Sequence, residues 1–434
     1  MEEKRAKKRH LPTAWHKLDN TANVFPVVAS KRMTNVFRIS AVLNENIDAD
    51  KLQEALEITL PYFAAFCVRL RHGLFWSYFE TNTATPSVEE DKDYPCRYID
   101  PVETGRYLFR VLYFENRIHL EVFHALTDGT GAIRFLRALC YQYIKLTHRD
   151  KFTQEQMNTP YGVENAGNTE DGYLKCYVPT KASSFKEPKP FHMHGETRTF
   201  DSMGVSTALF SVNELKKLSH AKNASITEFL AATLAMGIYE TAMSINGAKK
   251  PINLFVPVNL RKMFPSETSL NFFSNITVTI PMHGTDIKFD DVLAMVKSEF
   301  ALKLNKEYFS SKLAYTARSE TNMFTRIIPL PLKNSIIRII YEHSSHCSTM
   351  SFSNLGPVEI NAEFAEYFKG FRFLLYAAPI DPIKCAAVTC ADECAMTFTT
   401  IFEGQKIAAS VLRRLAEQGL HIEVESNGEY DETL

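Results

Sequence analysis

At 434 residues the chain is longer than one hydrophobic core usually supports, so two domains are the natural expectation. Hydrophobic side chains make up 45% and charged ones 23%, an ordinary globular composition that excludes a disordered chain. With 49 basic against 50 acidic side chains, a formal net charge of −1 provides no global field for nucleic acid or an anionic membrane, so partners must be recognised locally.

The opening MEEKRAKKRHLP is charged and leads into no apolar core of the kind a secretory signal needs, so a cytoplasmic location is expected. Val36 to Leu43 has strand character, Asp48 is placed to cap a helix carrying Leu52, Ala55 and Leu56, and a strand from Leu74 to Phe79 follows a turn at Gly73. Arg106 to Phe114 and Arg117 to Phe123 read as a hairpin around Glu115 and Asn116. Along its second strand Ile118, Leu120, Val122 and then His124 share one face. This alternation points His124 toward the apolar interior and His119 toward solvent. Phe135, Leu136, Leu139, Cys140 and Tyr143 then recur at helical spacing. From Asp150 to about Thr197 the chain is polar and irregular and reads as a linker or crossover loop.

Organisation resumes at Ser211 with Glu214 and at Ser225 with Glu228, two pairs at capping-box spacing that each open a helix. Ile226 to Ile245 is the longest apolar segment, and Glu228 and Glu240 suit it to a buried or amphipathic helix better than to a membrane span. The strands INLFVPV and FFSNITVTI and a helix from about Phe289 to Leu304 follow. Ile327 to Ile340 reads as a core helix broken at Pro329 and Pro331. Its polar face, with Lys333 and Arg338, lacks the basic enrichment of an interfacial anchor, so no stable membrane insertion is expected. Late strands are expected near Thr349 to Ser353, Phe371 to Ala378 and Ala395 to Ile401. Both halves share a strand, helix and strand flavour, which implies a mixed α/β (α+β) protein of two related lobes, residues 1–180 and 181–434.

The 8 cysteines are too scattered for a disulfide scaffold. Cys385, Cys390 and Cys394 form one loose cluster and His343, His346 and Cys347 another, but neither has paired CxxC knuckles, and no metal site is expected.

The stretch FHALTDGTGAIRF, from Phe123, sets His124 four residues before Asp128 and five before Gly129, at the start of the helix. Gly129 and Gly131 supply backbone freedom for a tight turn, and Asp128 can cap the helix. Neither role explains a histidine at the inward end of a strand, for which a buried core histidine is the plain alternative. From 13 histidines, 50 acidic residues and 17 glycines among 434 positions, chance yields roughly 0.06 such spacings, so the pattern carries information.

His124-Ala-Leu-Thr-Asp128-Gly129 resembles the HxxxDG motif of the chloramphenicol acetyltransferase-like superfamily. Its members include alcohol acetyltransferases, BAHD acyltransferases, polyketide-associated acyltransferases, wax ester synthases and condensation domains. VPVNLRKMFPSETSLNFFSN from Val256 is similar to the family's strand and loop region in the second lobe. SFSNLGP from Ser351 resembles its late Ser-Asn-x-Gly segment, and KLDNTANVFP near the start is similar to the opening of bacterial alcohol acetyltransferase-like proteins. The matches run in family order. Two departures matter: Phe123 stands where condensation domains usually carry a second histidine, and no DFGWG segment of the BAHD branch is present.

The resemblance implies two lobes in a V around a channel, with His124 near its middle. It implies acyl transfer, with acetyl the first expectation, from a CoA thioester to a small alcohol or amine; acyl-CoA would be a cosubstrate and no cofactor would be bound. It assigns Asp128 a structural ion pair, for which Arg261 in VNLRK is the candidate, and Gly129 a role in loop geometry. Ser353 and Asn354 are the candidate oxyanion and channel residues, with Asn271 and Asn275 weaker ones. An imidazole with an ordinary pKa of about 6.5 suits a general base, and a thiolate is a good leaving group. An acyl carrier protein as donor, or a catalytically silent binding or scaffold module of the same fold, are the alternatives.

Overall fold

The computed structural model describes residues 14–179, 185, 187–199, 202–244, 250–282, 287–321 and 327–428. The strands are Trp15–Lys17 (β1), Val36–Leu43 (β2), Val68–His72 (β3), Ser77–Thr81 (β4), Val88–Glu90 (β5), Phe109–Phe114 (β6), Arg117–Phe123 (β7) and Gly204–Ser211 (β8). Ile252–Asn259 (β9), Phe273–Ile280 (β10), Met350–Pro357 (β11), Phe368–Leu375 (β12), Ile383–Cys390 (β13), Glu393–Thr400 (β14) and Glu423–Ser426 (β15) complete the set. They form a 5-stranded sheet in the order β12-β2-β7-β6-β5, a 7-stranded sheet in the order β10-β9-β11-β13-β14-β8-β15, and a small sheet β1-β4-β3.

Each large sheet has its own core. In the first lobe Ile39, Ile118, Leu120 and Val122 are fully buried beneath the helices Ala49–Thr59 (α1) and Gly129–Thr147 (α2). Asp48 caps α1 by accepting the Lys51 amide at 3.1 Å, and Phe135 of α2 stacks on Phe66 at 4.2 Å. Burying a side chain of this size stabilises the fold by about 1.5–3 kcal/mol. In the second lobe the helix Ile226–Ile238 is buried on nearly all sides. Ser225 and Glu228 start it with a complete capping box. At Ser211 only half the expected box forms. Its hydroxyl accepts the Glu214 amide, but Asp392, not Glu214, takes the Ser211 hydroxyl and the Asn213 amide.

Chain order and sheet order differ at one place. β12 lies late in the chain yet pairs with β2, Phe371 opposite Ala41, so the first sheet is closed by a strand from the second half. A second irregularity opens the molecule. β11 runs beside β9 only at Met350 and Ser351, while on its other side it follows β13 to a register break between Asn354 and Pro357. Gly356 adopts φ +74° there, a conformation glycine tolerates best. Beyond Ser351 the two strands therefore separate and leave a gap facing the first lobe.

Two expectations are corrected. His119 is buried, not solvent-facing, and contacts Ser40 Oγ at 2.7 Å. The strand alternation is as expected, but that face is covered by a charged cluster in which Arg38 pairs with Asp91 and Glu121, and Arg110 with Glu121. The segment with Ile327 to Ile340 is not a broken core helix. A continuous helix spans Leu330–Ser345, with Pro331 in its first turn where no amide is missed. Leu332, Ile339 and Ile340 are 61%, 67% and 62% exposed; among the described residues the helix is tied down through the Leu74, Phe75 and Val27 carbonyls. Among the described residues no helix is long and apolar enough to cross a membrane.

Candidate active site

A cavity of about 1100 Å³ lies between the lobes, walled by Phe37, His124 and Thr130 on one side and Asn259, Phe273 and Ser353 on the other. His124 follows the last β2–β7 pair, Val36 with Phe123, and its amide donates to the Asn35 carbonyl at 2.9 Å. The extended chain thus delivers the imidazole inward. There it stacks on Phe25 at 4.6 Å and meets the edges or tilted faces of Phe37 and Phe273 at 5.1 and 5.2 Å. Nδ1 lies 3.2 Å from Asn271 Oδ1. Burial holds its pKa below 6.5, against the opposing influence of Asp128 and the hydrogen bonds at the ring. The ring is neutral at physiological pH.

Asp128 caps α2 and does more. Oδ1 accepts the Thr130 and Gly131 amides, each at 3.1 Å; Oδ2 accepts the Phe272 amide at 2.9 Å and Arg261 Nη1 at 2.8 Å. Arg261 also donates from Nε to the Thr268 carbonyl at 3.0 Å and from Nη2 to the Leu270 carbonyl at 2.5 Å. Burial pushes the Asp128 carboxyl up, but Arg261 and these amides outweigh it and hold the pKa below its ordinary 3.8. Among the described residues neither carboxylate oxygen is hydrogen bonded to His124. Asp128 therefore fastens the strand-to-helix corner of one lobe to the 261–272 loop of the other, and it does not complete a triad.

The glycines work by size, not by conformation, since neither Gly129 nor Gly131 has a positive φ. A Cβ on Gly129 would press on Leu355 Cδ2 at 2.4 Å, whereas one on Gly131 would meet the Ser269 main-chain carbonyl at 2.6 Å and Thr127 Oγ1 at 2.1 Å. The closer backbone approach is at Gly131.

Ser353 and Asn354 line the cavity on β11. The Asn354 amide is pinned, its Nδ2 donating to Thr227 Oγ1 at 3.1 Å and its Oδ1 accepting the Gly356 amide at 2.9 Å. Ser353 is only 9% exposed. Asn275 also lines the cavity, and its carbonyl accepts Lys312 Nζ at 2.7 Å. Burial pulls that lysine down to about 8.

Three residues at the site went unassigned in the sequence. Lys312 carried no local signal. Tyr173, inside the irregular segment, donates to the Phe273 carbonyl at 2.8 Å and accepts the Phe273 amide and the Thr21 hydroxyl. Asp19, the acidic residue of KLDNTANVFP, is 1% exposed and accepts Asn271 Nδ2 at 3.1 Å. Among the described residues no group of three His, Cys, Asp or Glu is placed to hold a metal, and the His343 side chain lies outside them.

No protein-family model matches the chain, and no curated protein matches it in sequence. Solved structures do match in shape. The first condensation domain of the calcium-dependent antibiotic synthetase, solved with a substrate analogue, is 13% identical with a TM-score of 0.61, over 94% of this chain and 99% of that one. The trichothecene 15-O-acetyltransferase of Fusarium sporotrichioides is 10% identical with a TM-score of 0.58, over 92% and 94%. The starter condensation domain of rhizomide synthetase, solved with C8-CoA and Leu-SNAC, is 10% identical with a TM-score of 0.57, over 93% of each chain. With its two cored lobes around a shared cavity, this protein has the two-lobed fold seen in these condensation domains and in the acetyltransferase.

Proposed function

We propose that the protein is an acyltransferase that moves an acyl group, acetyl first among them, from CoA to a hydroxyl or amine acceptor. The observation that carries this reading is His124, a neutral imidazole clamped by three aromatic rings on the wall of a cavity between two lobes. In this scheme the imidazole takes the acceptor's proton as its oxygen or nitrogen attacks the thioester carbonyl. The tetrahedral intermediate then collapses, the C–S bond breaks, and the proton passes from the imidazolium to the departing thiolate. Ser353 is the candidate donor to the oxyanion, and the pinned Asn354 amide shapes the wall beside it. Asp128, Arg261 and the glycines hold the corner that presents His124.

A carrier-protein thioester is chemically the same donor at the reacting end. Phe123 in place of a second histidine favours free acyl-CoA. The test is release of CoA thiol from acetyl-CoA across a panel of alcohols and amines. Acceptor-dependent release that falls by about 100-fold or more in His124→Ala supports the reading. Equal release by both proteins removes His124 from the mechanism. Release from a carrier-bound acyl group alone would reassign the donor, and none from either would leave a binding module.

A further inference from the structure

Behind His124 a short polar chain leads away from the cavity. Asn271 is fully buried, and its side-chain oxygen faces His124 Nδ1 at 3.2 Å. Its side-chain nitrogen faces Asp19 Oδ2 at 3.1 Å and the Ala125 carbonyl at 3.5 Å. Asp19 Oδ2 also accepts the Asn271 main-chain amide at 3.3 Å, and Oδ1 accepts the Ala22 amide at 2.8 Å. The carboxylate thus receives three donors, two of them from one residue.

We infer that Asp19 is a positioning residue that fixes the tautomer of His124 through Asn271. This deepens the proposed acyl transfer and rests on it for its catalytic meaning. A carboxamide oxygen only accepts and its nitrogen only donates. Turning Asn271 over would set its oxygen against both the Asp19 carboxylate and the Ala125 carbonyl, an acceptor against two acceptors. The amide is therefore held with its oxygen toward the ring. An acceptor at Nδ1 requires the ring proton there, because the other tautomer would set a lone pair against Oδ1. Nε2 is then left unprotonated, which is the form a general base needs.

The stretch around His124 supplies only the Ala125 carbonyl to this arrangement, since Asp19 and Asn271 come from distant parts of the chain. Burial pushes the Asp19 carboxyl up to about 7, against the opposing hydrogen bonds from Ala22 and Asn271, and Asp171 adds to the rise. Among the described residues Tyr173 also faces it, with a phenol that burial keeps protonated. At pH 8 the carboxylate is therefore the main form, and the tautomer should be read there.

The experiment is nitrogen NMR on protein labelled with 15N-histidine at pH 8, with the His124 ring assigned by its loss in His124→Gln. The native ring is expected as the Nδ1–H tautomer. In Asp19→Asn the second amide cannot satisfy Asn271 and the Ala22 amide together, so a mixture containing Nε2–H should appear, with kcat falling about 10–100-fold and KM for acyl-CoA changing less than about 3-fold. Asn271→Leu, which removes the side-chain acceptor and leaves the ring only the hydrogen bond to its own main chain, should move the ring the same way. A native ring with its proton on Nε2 overturns the inference without any variant, and so does an unchanged Nδ1–H signal in folded Asp19→Asn. Because the tautomer is read without turnover, a correct tautomer in a protein inactive toward every acceptor would sink the acyl-transfer reading and leave the relay standing. Turnover with the wrong tautomer would do the reverse.

Discussion

Replacing Arg261 by methionine removes the cation that, among the described residues, neutralises Asp128, while keeping much of the side-chain volume. The pair is buried on both sides, with side-chain exposures of 5% and 7%, and its contact is 2.8 Å. The variant leaves a buried carboxylate without its counter-ion and deprives the Thr268 and Leu270 carbonyls of their donors. Breaking a buried pair from one side costs about 3–5 kcal/mol, so Arg261→Met should be destabilised by that amount. Urea unfolding followed by tryptophan fluorescence measures it, because Trp15 and Trp76 both lie in the first lobe, to which Asp128 belongs. The loss should shrink when Asp128→Asn is added, since no uncompensated charge then remains. It should also depend on pH. The folded pKa of Asp128 lies below its ordinary 3.8, so its contribution is complete above that value and is lost as pH falls through the folded pKa. The native advantage over the variant should accordingly be full at pH 7 and contract in strong acid. A loss under about 1 kcal/mol at pH 7, or the same loss in the Asp128→Asn background, would refute the idea that the ion pair ties the lobes together.

Other outcomes follow from the same geometry. Gly131→Ala should cost about 1–3 kcal/mol in the same unfolding assay and exceed Gly129→Ala, because its new Cβ meets a main-chain carbonyl, while Leu355 can swing aside at Gly129. The acid limb of kcat/KM should have its midpoint below 6.5 if His124 alone governs it, since burial favours the neutral imidazole; protonation on the acid side removes the base. A pH–rate profile with a His124 midpoint above 6.5 would contradict that environment. Ser353→Ala should lower kcat about 10²–10³-fold if its hydroxyl meets the oxyanion, with far less change in KM. An unchanged kcat would return Ser353 to a wall residue.

Much of the site was legible because its pieces are local. The alternation of Ile118, Leu120 and Val122 by itself sends His124 inward, and Asp128 sits where a helix cap must sit. Period and capping depend only on neighbouring residues, so sequence determines them. The failures have the opposite cause. His119 obeys the same alternation yet is buried, since Asp91 and the loop that carries it fold across its face. β12 joins the first sheet from far along the chain, and no local pattern states which sheet a strand will enter. The Leu330–Ser345 helix is apolar enough for a core and is left exposed by where its neighbours stop. The polar chain from His124 through Asn271 to Asp19 exists only because two lobes and the chain's opening segment meet at one point. Sequence alone singled out His124 and turned it inward; tertiary packing decided which side chains meet its ring.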